Sequence, residues 1–368
     1  MQPTVLQILP SLNYGGVERG TIEIARELVK RNHRSIVISA TGRLVPELIA
    51  SGSEHIDLPV GEKSIKSIKL IPKLSHLFIK NNVDIVHVRS RLPAWLTHFA
   101  LKKIQPDKKP ILITTVHGPY TVNRYSKIMM SGYRIIAISK YIKKYIIDNY
   151  PDIDKNKIEI VPRGVNNADY YHEYKPTRAW IDNWYREFPN LENKFLITLP
   201  ARITRWKGQN DFVEIISKLS KRGFNIHGLI VGGVDKRKQK YLHELKSLVR
   251  KNNVEEQISF TGHRDDIKNI LSISDIALSL AKIPEAFGRT ALEALALGVP
   301  VIAYDHGGAK EILEDLFPKG KIEPHNVDNT VSLVEEFYKS KPIVKNKNIY
   351  TLDNMLDKTI SIYNSFDL

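Results

Sequence analysis

Short runs of aliphatic and β-branched residues alternate with amphipathic stretches along most of the chain. Runs of strand length with helical patterns between them are typical of a parallel sheet whose strands are joined by helices. The sequence therefore predicts an α/β protein. The predicted strands are residues 4–9, 35–40, 83–88, 111–116, 134–139, 194–201, 225–233, 256–262, 275–280 and 298–304.

This rhythm occurs twice, which indicates two domains. The chain has 368 residues, about twice the length of an ordinary domain. A polar, aromatic-rich stretch, Asn166 to Asn193, separates the two series of strands. We predict Rossmann-like domains over residues 1–165 and 166–349. Residues 350–368 have helical spacing of apolar side chains, and we expect them to pack back on the first domain.

Cysteine is absent from the chain, which excludes disulfides and thiolate zinc sites and agrees with a reducing compartment. The N-terminus has no basic segment, and its first apolar run is too short for a signal peptide or a spanning helix. We therefore expect a cytoplasmic protein, with a peripheral position at the inner face of the plasma membrane as the alternative.

Positive charge is concentrated in the first half of the chain. The formal net charge is +15, and residues 1–170 contain 26 Lys/Arg against 14 Asp/Glu. Such a surface suits a polyanion, either nucleic acid or an anionic membrane leaflet, and it also serves solubility alone. The charge by itself leaves these three interpretations open.

Two places combine a predicted strand end with groups that bind anions. The loop at residues 13–18 has adjacent glycines, Gly15 and Gly16, where backbone N–H groups and a helix dipole can meet a phosphate. It is not a dinucleotide fingerprint, because no acidic residue ends the second strand. In the second half, Arg202 and Lys207 precede a helix expected to begin near Gln209, which suits a diphosphate.

The most informative segment is residues 284–300, PEAFGRTALEALALGVP, in which Glu285 and Glu293 flank a glycine turn. If a helix starts near Gly288, Glu285 lies in the loop before it and Glu293 lies inside it. A carboxylate in the helix can then accept hydrogen bonds from a ribose diol, while the N–H groups of the turn face a phosphate.

In this segment the chain closely resembles the retaining glycosyltransferases of family four, which share a pair of glutamates separated by seven residues. The GGVE loop, His117 at a strand end, AIS at 137–139, VPRGVN at 161–166 and the Arg202/Lys207 pair follow in the family's order. The resemblance covers essentially the whole length. It implies the GT-B fold, in which two Rossmann-like domains face each other across a deep cleft and a C-terminal helix crosses back to the first domain.

The resemblance also implies donor-binding residues. Gly15 and Gly16 would lie beside the diphosphate of a nucleotide sugar. Arg202 and Lys207 would bind that diphosphate, and Glu293 would bind the ribose. The other donor-binding candidates are Phe287, Gly288, Arg289 and Thr290.

His117 and Glu285 are the candidate catalytic residues. Family members have a histidine next to the sugar at the place of His117, where it can bond a hydroxyl or assist proton movement. Retention in this family is generally drawn as front-face displacement, with the departing phosphate taking the proton of the acceptor. Glu285 would then support positive charge on the sugar; the alternative is a nucleophile, as in retaining glycosidases.

Candidates for the acceptor side are basic and aromatic residues after strands of the first half. Arg89 and Arg91 follow one strand, and Tyr120 and Arg124 follow another. These side chains suit an acidic or phosphorylated acceptor. Arg163 stands where the family often has asparagine, and it would reach phosphate or acceptor, or brace the hinge between the domains.

Residues 62–80 combine an apolar helical stripe with lysines. One interpretation is a basic amphipathic helix on a membrane surface; the other is a stripe packed on the sheet with solvated lysines. The apolar members are Ile65, Ile68, Ile71, Leu74, Leu77 and Phe78, and the lysines are Lys63, Lys66, Lys69, Lys73 and Lys80.

We predict a glycosyltransferase of the hexosyltransferase class that moves a sugar from a nucleoside-diphosphate sugar to a lipid-linked or lipopolysaccharide-type glycan during envelope assembly. The alternative is a small soluble acceptor. No acidic metal motif stands out, since Asp265 and Asp266 are placed like a helix cap, so we expect metal-independent chemistry without a cofactor. An oxidoreductase, a nucleic-acid binder and a partner-binding pseudoenzyme fit the motifs less well.

Overall fold

The computed structural model describes residues 2–13, 15–235 and 238–366. It divides into two compact units: unit 1 is Met1–Pro162 with Asp353–Leu368, and unit 2 is Arg163–Leu352. The junctions predicted at 165/166 and 349/350 each differ from these by three residues. Each unit is a Rossmann-like domain around its own parallel sheet.

Unit 1 contains, over its described residues, a seven-stranded sheet with the order β3-β2-β1-β4-β5-β6-β7, and the strand pairs are parallel. The strands are β1 (Val5–Ser11), β2 (Ser35–Ala40), β3 (Glu54–Asp57), β4 (Ile85–Val88), β5 (Ile111–Val116), β6 (Arg134–Ala137) and β7 (Ile158–Ile160). The helices between them are α1 (Gly16–Lys30), α2 (Val45–Ala50), α3 (Leu70–Lys80), α4 (Arg91–Leu101), α5 (Arg124–Lys127) and α6 (Lys140–Asn149).

The central strands of unit 1 are apolar on both faces because helices cover both sides of the sheet. On one face, Ile22 and Ala25 of α1 pack with Leu9 of β1 and Val37 of β2, all of them fully buried. Truncating Leu9 or Ile22 to alanine costs about 2 to 5 kcal/mol in a core of this kind. This packing fixes α1 against the sheet, and with it the glycine loop that precedes α1.

Unit 2 has six strands over the residues described, in the order β10-β9-β8-β11-β12-β13. They are β8 (Phe195–Pro200), β9 (Ile226–Val231), β10 (Ile258–Gly262), β11 (Ile276–Ser279), β12 (Val301–Tyr304) and β13 (Lys321–Ile322). The helices are α7 (Arg178–Glu187), α8 (Gln209–Lys221), α9 (Gln239–Lys251), α10 (Ile267–Ser272), α11 (Arg289–Ala296), α12 (Gly307–Leu316) and α13 (Val327–Lys339).

The last helix, α14 (Leu352–Asn364), lies almost wholly in unit 1. Its apolar side chains Met355, Leu356, Ile360 and Tyr363 are buried. The hydroxyl of Tyr363 lies 2.6 Å from Nδ1 of His87 in β4, so the helix is tied to the sheet by a buried polar contact as well as by packing. Within the described residues, no helix combines the length and apolar character needed to cross a bilayer.

Candidate functional site

The glycine loop of unit 1 leads directly into α1. Gly15 is the N-cap residue and provides no side-chain hydrogen bond to the first turn of the helix. Gly15 and Gly16 are exposed, and no described atom lies within 4 Å of the position that a Cβ at Gly16 would take. The backbone at Gly16 is therefore open, whereas at Gly15 the Oε2 of Glu18 lies 2.4 Å from the position that a Cβ would take, so an anion that approaches the N–H groups of the first turn meets this carboxylate. Tyr14 lies outside the described residues.

His117 follows β5 in a loop that tyrosines hold in place. The backbone N–H of His117 donates to the hydroxyl of Tyr120 at 3.4 Å. The hydroxyl of Tyr145 in turn donates to the carbonyl of Tyr120. Burial raises the pKa of Tyr120, so that hydroxyl stays protonated. The histidine is half-buried at the carboxyl edge of the sheet, as expected from its position after the strand.

Arg91 lies at the centre of a small aromatic cluster in unit 1. Its guanidinium carbon is 5.0 Å from the ring centroid of Tyr120 and 5.4 Å from that of Tyr125. Its Nη1 donates to Ser126 at 3.1 Å, and the indole of Trp95 donates to the carbonyl of Tyr125 at 3.0 Å. These contacts hold a half-exposed cation in a fixed orientation. Arg124 is exposed beside this cluster.

Arg89 does not lie on the surface that the sequence analysis assigned to it. Only 2% of the residue is exposed, and its guanidinium donates to Oε1 of Gln7 at 2.8 and 3.1 Å. Burial lowers the pKa of Arg89, and Tyr363 and Glu23 act against that shift. Arg89 is therefore a buried structural residue, whereas Arg91 is partly exposed.

In unit 2, Arg202 and Lys207 lie together before α8, as the sequence predicts. Arg202 is exposed, whereas only 18% of the Lys207 side chain is exposed. Burial, followed by the charge of Arg202, lowers the pKa of Lys207 to about 8. The ammonium lies 4.5 Å from the ring centroid of Trp206. Its ion-pair partner is Glu285, whose side chain is 11% exposed.

The loop that carries Glu285 is held by contacts that the sequence analysis missed. The N–H of Gly308, in the first turn of α12, donates to the carbonyl of Glu285 at 2.7 Å. Lys282 lies 2.7 Å from Asp211 of α8, and the hydroxyl of Tyr304 donates to the same carboxylate at 2.7 Å. The adjacent glycines after β12 repeat the pattern of the glycine loop in unit 1, so Gly308 was visible in the sequence. Lys282, Asp211 and Tyr304 have no comparable sequence pattern.

The second glutamate of the motif lies inside α11, which begins one residue after Gly288. Gly288 has φ +86° and a Cβ there would lie 2.8 Å from Cα of Ala309, so only glycine fits this turn. Glu293 is 6% exposed and accepts a hydrogen bond from Nε of Arg289 at 2.8 Å. Burial raises the pKa of Glu293 and Arg289 opposes the shift. The carboxylate therefore has one strong partner in place.

The remaining predicted residues occupy different positions. Phe287 is 6% exposed and its ring meets that of Tyr350, with centroids 5.8 Å apart, so it packs the loop. Thr290 is partly exposed in the first turn of α11, and Arg163 begins unit 2 and is partly exposed. Asp266 binds Arg264 and Trp180 at the start of α10. Metal independence stays a prediction, although the described residues contain no group of three or more potential metal-ligating His, Asp or Glu side chains.

A separate pocket of about 530 Å³ lies in unit 1 between β7 and α14. Its lining combines apolar side chains with charged side chains of both signs. None of the predicted site residues lines it. The lining residues are Arg134, Glu159, Ile160, Val161, Asp357, Lys358, Ser361, Ile362 and Ser365.

Comparison with family models matches both units. Residues 14–169 match the model described as Glycosyltransferase Family 4, and residues 181–351 match the model described as Glycosyl transferases group 1. The crystal structure of a glycosyltransferase from Rickettsia africae is 32% identical, covers 99% of this chain and 98% of that one, and superposes with a TM-score of 0.86.

More distant proteins are also similar to this chain. The HepE protein of Anabaena, solved in complex with UDP and glucose, is 18% identical over 99% of this chain and 100% of that one, with a TM-score of 0.83. The capsular polysaccharide biosynthesis glycosyltransferase CapM of Staphylococcus aureus is 24% identical over 79% of this chain and 76% of its own length. Across four other curated relatives, the matched part spans 58% to 79% of their length. With both units matched by these models and a near full-length relative at 32% identity, the chain belongs to the family-four glycosyltransferases of the GT-B fold.

Proposed function

We propose that the chain transfers a sugar from a nucleoside-diphosphate sugar to a hydroxyl of a lipid-linked or lipopolysaccharide-type glycan. One observation in unit 2 supports it most: the largely buried ammonium of Lys207, just before α8 and beside Arg202, pairs with the carboxylate of Glu285. A cation pair at a helix N-terminus suits a diphosphate, and a carboxylate next to it suits the sugar that the diphosphate carries.

The donor is proposed to bind through both charged and backbone groups. Arg202 and Lys207 hold the diphosphate and stabilise the charge that builds up on it as the glycosidic phosphate bond breaks. Glu293 accepts the ribose hydroxyls. In unit 1, Gly15 and Gly16 offer the uncapped N–H groups of α1. Gly288, Arg289 and Thr290, which follow Phe287 at the start of α11, offer N–H groups in the same way.

We propose a metal-independent reaction with retention at the anomeric carbon. The acceptor oxygen attacks from the side of the leaving group, the bond between the sugar and the diphosphate breaks, and the departing phosphate oxygen takes the acceptor proton. Glu285 stabilises positive charge on the sugar as that bond lengthens. His117 bonds a sugar hydroxyl from the loop that Tyr120 and Tyr145 hold.

On the acceptor side, we propose that Arg91, Tyr120 and Arg124 contact an acidic or phosphorylated group of the glycan. The fixed position of Arg91 between two tyrosine rings supports this assignment. Arg163 is proposed to reach phosphate or acceptor as well. A relative that acts in capsular polysaccharide biosynthesis agrees with envelope assembly. We place the reaction in the cytoplasm at the inner face of the plasma membrane, where the basic unit 1 contacts anionic lipid.

Thermal unfolding with a panel of UDP, GDP, ADP, CMP and NAD tests the donor assignment. A ligand at 100 times its dissociation constant stabilises the folded state by about 2.7 kcal/mol, so we expect a raised melting temperature with one nucleoside diphosphate. Lys207→Met should abolish that shift. Lys221→Met, at the other end of α8, is the matched control and should keep it. A shift with NAD alone, or a full shift in Lys207→Met, would contradict the proposal.

Turnover with the nucleotide sugar that matches the stabilising base tests the acceptor. We expect product with a lipid-linked or lipopolysaccharide-type acceptor. Transfer to small soluble acceptors alone would contradict that part of the proposal and leave the donor assignment intact.

A further inference from the structure

The 3-10 helix Ile65–Lys69 carries two large apolar side chains that the rest of the described chain leaves uncovered. Ile65 is 87% exposed and Ile68 is 63% exposed, whereas Leu74 and Phe78 on the following helix α3 are buried. The apolar stripe predicted over residues 62–80 is therefore divided. Its second part packs into unit 1, and its first part faces solvent.

The burial pattern of this short helix is the reverse of the ordinary one. Its one buried residue is a serine, Ser67, at 6% exposure, and its isoleucines face outward. Large aliphatic side chains are usually among the most buried residues, and serine is mostly exposed. Packing of unit 1 alone does not account for two isoleucines at these positions.

The exposed isoleucines share one face and lysines lie beside them. Residues three apart eclipse each other in a 3-10 helix, so Ile65 and Ile68 are stacked, and Lys66 and Lys69 form the adjacent row. Lys63 comes just before, and all three lysines are exposed. Residues 61–80 contain five lysines against a single acidic residue, so the surroundings of the apolar pair are strongly positive.

This segment is held in a defined shape at the carboxyl edge of the sheet. The hydroxyl of Ser67 donates to the carbonyl of Glu62 at 2.6 Å, and Ser64 caps the helix by accepting from the N–H of Lys66 at 3.2 Å. Gly61 lies so close to Pro10 of β1 that a Cβ on it would be 2.5 Å from the Pro10 Cβ. The segment is thereby fixed next to the end of β1, the strand that leads to the glycine loop.

We infer that residues 63–69 are a membrane-docking element for an anionic bilayer. Ile65 and Ile68 enter the boundary between headgroups and acyl chains, and Lys63, Lys66 and Lys69 contact lipid phosphates. A nucleic acid would use the lysines but has no place for the isoleucines, because its contacts are to phosphates. The inference rests on the proposed function, since a lipid-linked acceptor is presented at a bilayer surface. The element lies at the carboxyl edge of the sheet in unit 1, so docking would bring that edge to the bilayer.

Co-sedimentation of the full chain with vesicles tests the element directly. We expect binding to vesicles that contain phosphatidylglycerol and little binding to phosphatidylcholine alone. Ile65→Ser/Ile68→Ser should weaken binding at least about tenfold through lost apolar burial. Lys63→Gln/Lys66→Gln/Lys69→Gln should weaken it by about tenfold or more. Unchanged binding of the isoleucine variant, or equal binding to both kinds of vesicle, would overturn the inference.

Matched controls come from unit 2. Ile343→Ser removes an isoleucine that is 89% exposed, and Lys319→Gln/Lys339→Gln/Lys345→Gln removes three exposed lysines. Both should bind vesicles like the wild type. Retention of the wild type on DNA but not on vesicles would refute a membrane partner.

Nucleotide binding separates this inference from the proposed function. Every variant should keep the melting-temperature shift with the nucleoside diphosphate, because none of the substituted side chains belongs to the proposed donor site. Vesicle binding that is absent while the nucleotide shift persists refutes only the docking element. A wild type that binds vesicles yet responds to no nucleotide refutes only the donor assignment.

Discussion

Replacing Glu285 by glutamine should strengthen the binding of a nucleoside diphosphate while it lowers turnover. In the structure the ammonium of Lys207 is already occupied by the carboxylate of Glu285. A diphosphate must displace that carboxylate to reach the ammonium. The glutamine variant removes the competing charge and keeps the shape of the side chain, so the ligand no longer has to break an ion pair.

The two side chains are 18% and 11% exposed, so solvent screens the pair only weakly. A hydrogen bond between charged groups contributes about 1.5 to 3 kcal/mol, and part of this is lost because a buried pair also costs desolvation. A net effect of about 1 to 2 kcal/mol corresponds to about five- to thirtyfold tighter binding. Isothermal titration calorimetry with the stabilising nucleoside diphosphate measures it.

The Lys207→Met background supplies the control for this experiment. In that background Glu285→Gln has no ammonium to release, so the dissociation constant should not improve further. Turnover of Glu285→Gln should fall in either case, because the neutral amide cannot stabilise positive charge on the sugar. Weaker or unchanged nucleotide binding in the single variant would refute the idea that Glu285 and the diphosphate compete for Lys207.

Three further predictions concern pH, the histidine loop and the aromatic cluster. The pKa of Lys207 is about 8 in the free protein, and a bound anion raises that pKa, so nucleotide affinity should be level below about pH 7 and should fall as the pH rises through 8. Lys207→Arg should remove this decline. A pH-independent affinity in the wild type would contradict the assignment of Lys207 to the diphosphate. His117→Ala should lower kcat by about tenfold or more with little change in nucleotide affinity, measured by initial rates and calorimetry, and an unaltered kcat would exclude a role at the sugar. Arg91→Met should raise the KM for the acceptor and leave the KM for the donor unchanged, whereas Lys102→Met, at the residue that follows α4, should change neither.

The strands were predictable because each is a short apolar run between polar turns. The predicted strand 35–40 has the same bounds as β2. The predicted start of α11 near Gly288 is also confirmed, because the backbone conformation at the N-cap requires a glycine. The strands β3, β7 and β13 were missed, since they have two to four residues and lie at the ends of the strand order. Strands of two to four residues are too short to show an alternating or apolar pattern in the sequence.

The site was predictable where chemistry depends on backbone position and not where it depends on packing. The placement of Arg202 and Lys207 was predictable because they lie between a strand and a helix, β8 and α8; their role in donor binding stays a prediction. Arg89 occupies an equally suggestive place after β4, yet it turns inward, because Gln7 of the neighbouring strand and Tyr363 of the last helix supply polar partners in the core. A contact between residues so far apart in sequence leaves no local pattern.

The pairing of Lys207 with Glu285 also solves a problem that any dry donor site meets. A single charge buried without a partner costs several kcal/mol, and a site that awaits a diphosphate needs a buried cation before the ligand arrives. With the pair in place, each group has a partner of opposite charge in the free protein. When the diphosphate binds and takes the ammonium, the carboxylate loses its partner, and on the proposed function the positive charge that the sugar acquires in the transition state supplies a new one, so the cost of an unpaired carboxylate favours the transition state over the bound substrate. On this argument Glu285→Gln loses turnover through the charge of the carboxylate and not through its shape, and Lys207 contributes to catalysis twice, as the partner of the leaving diphosphate and as the group that released Glu285.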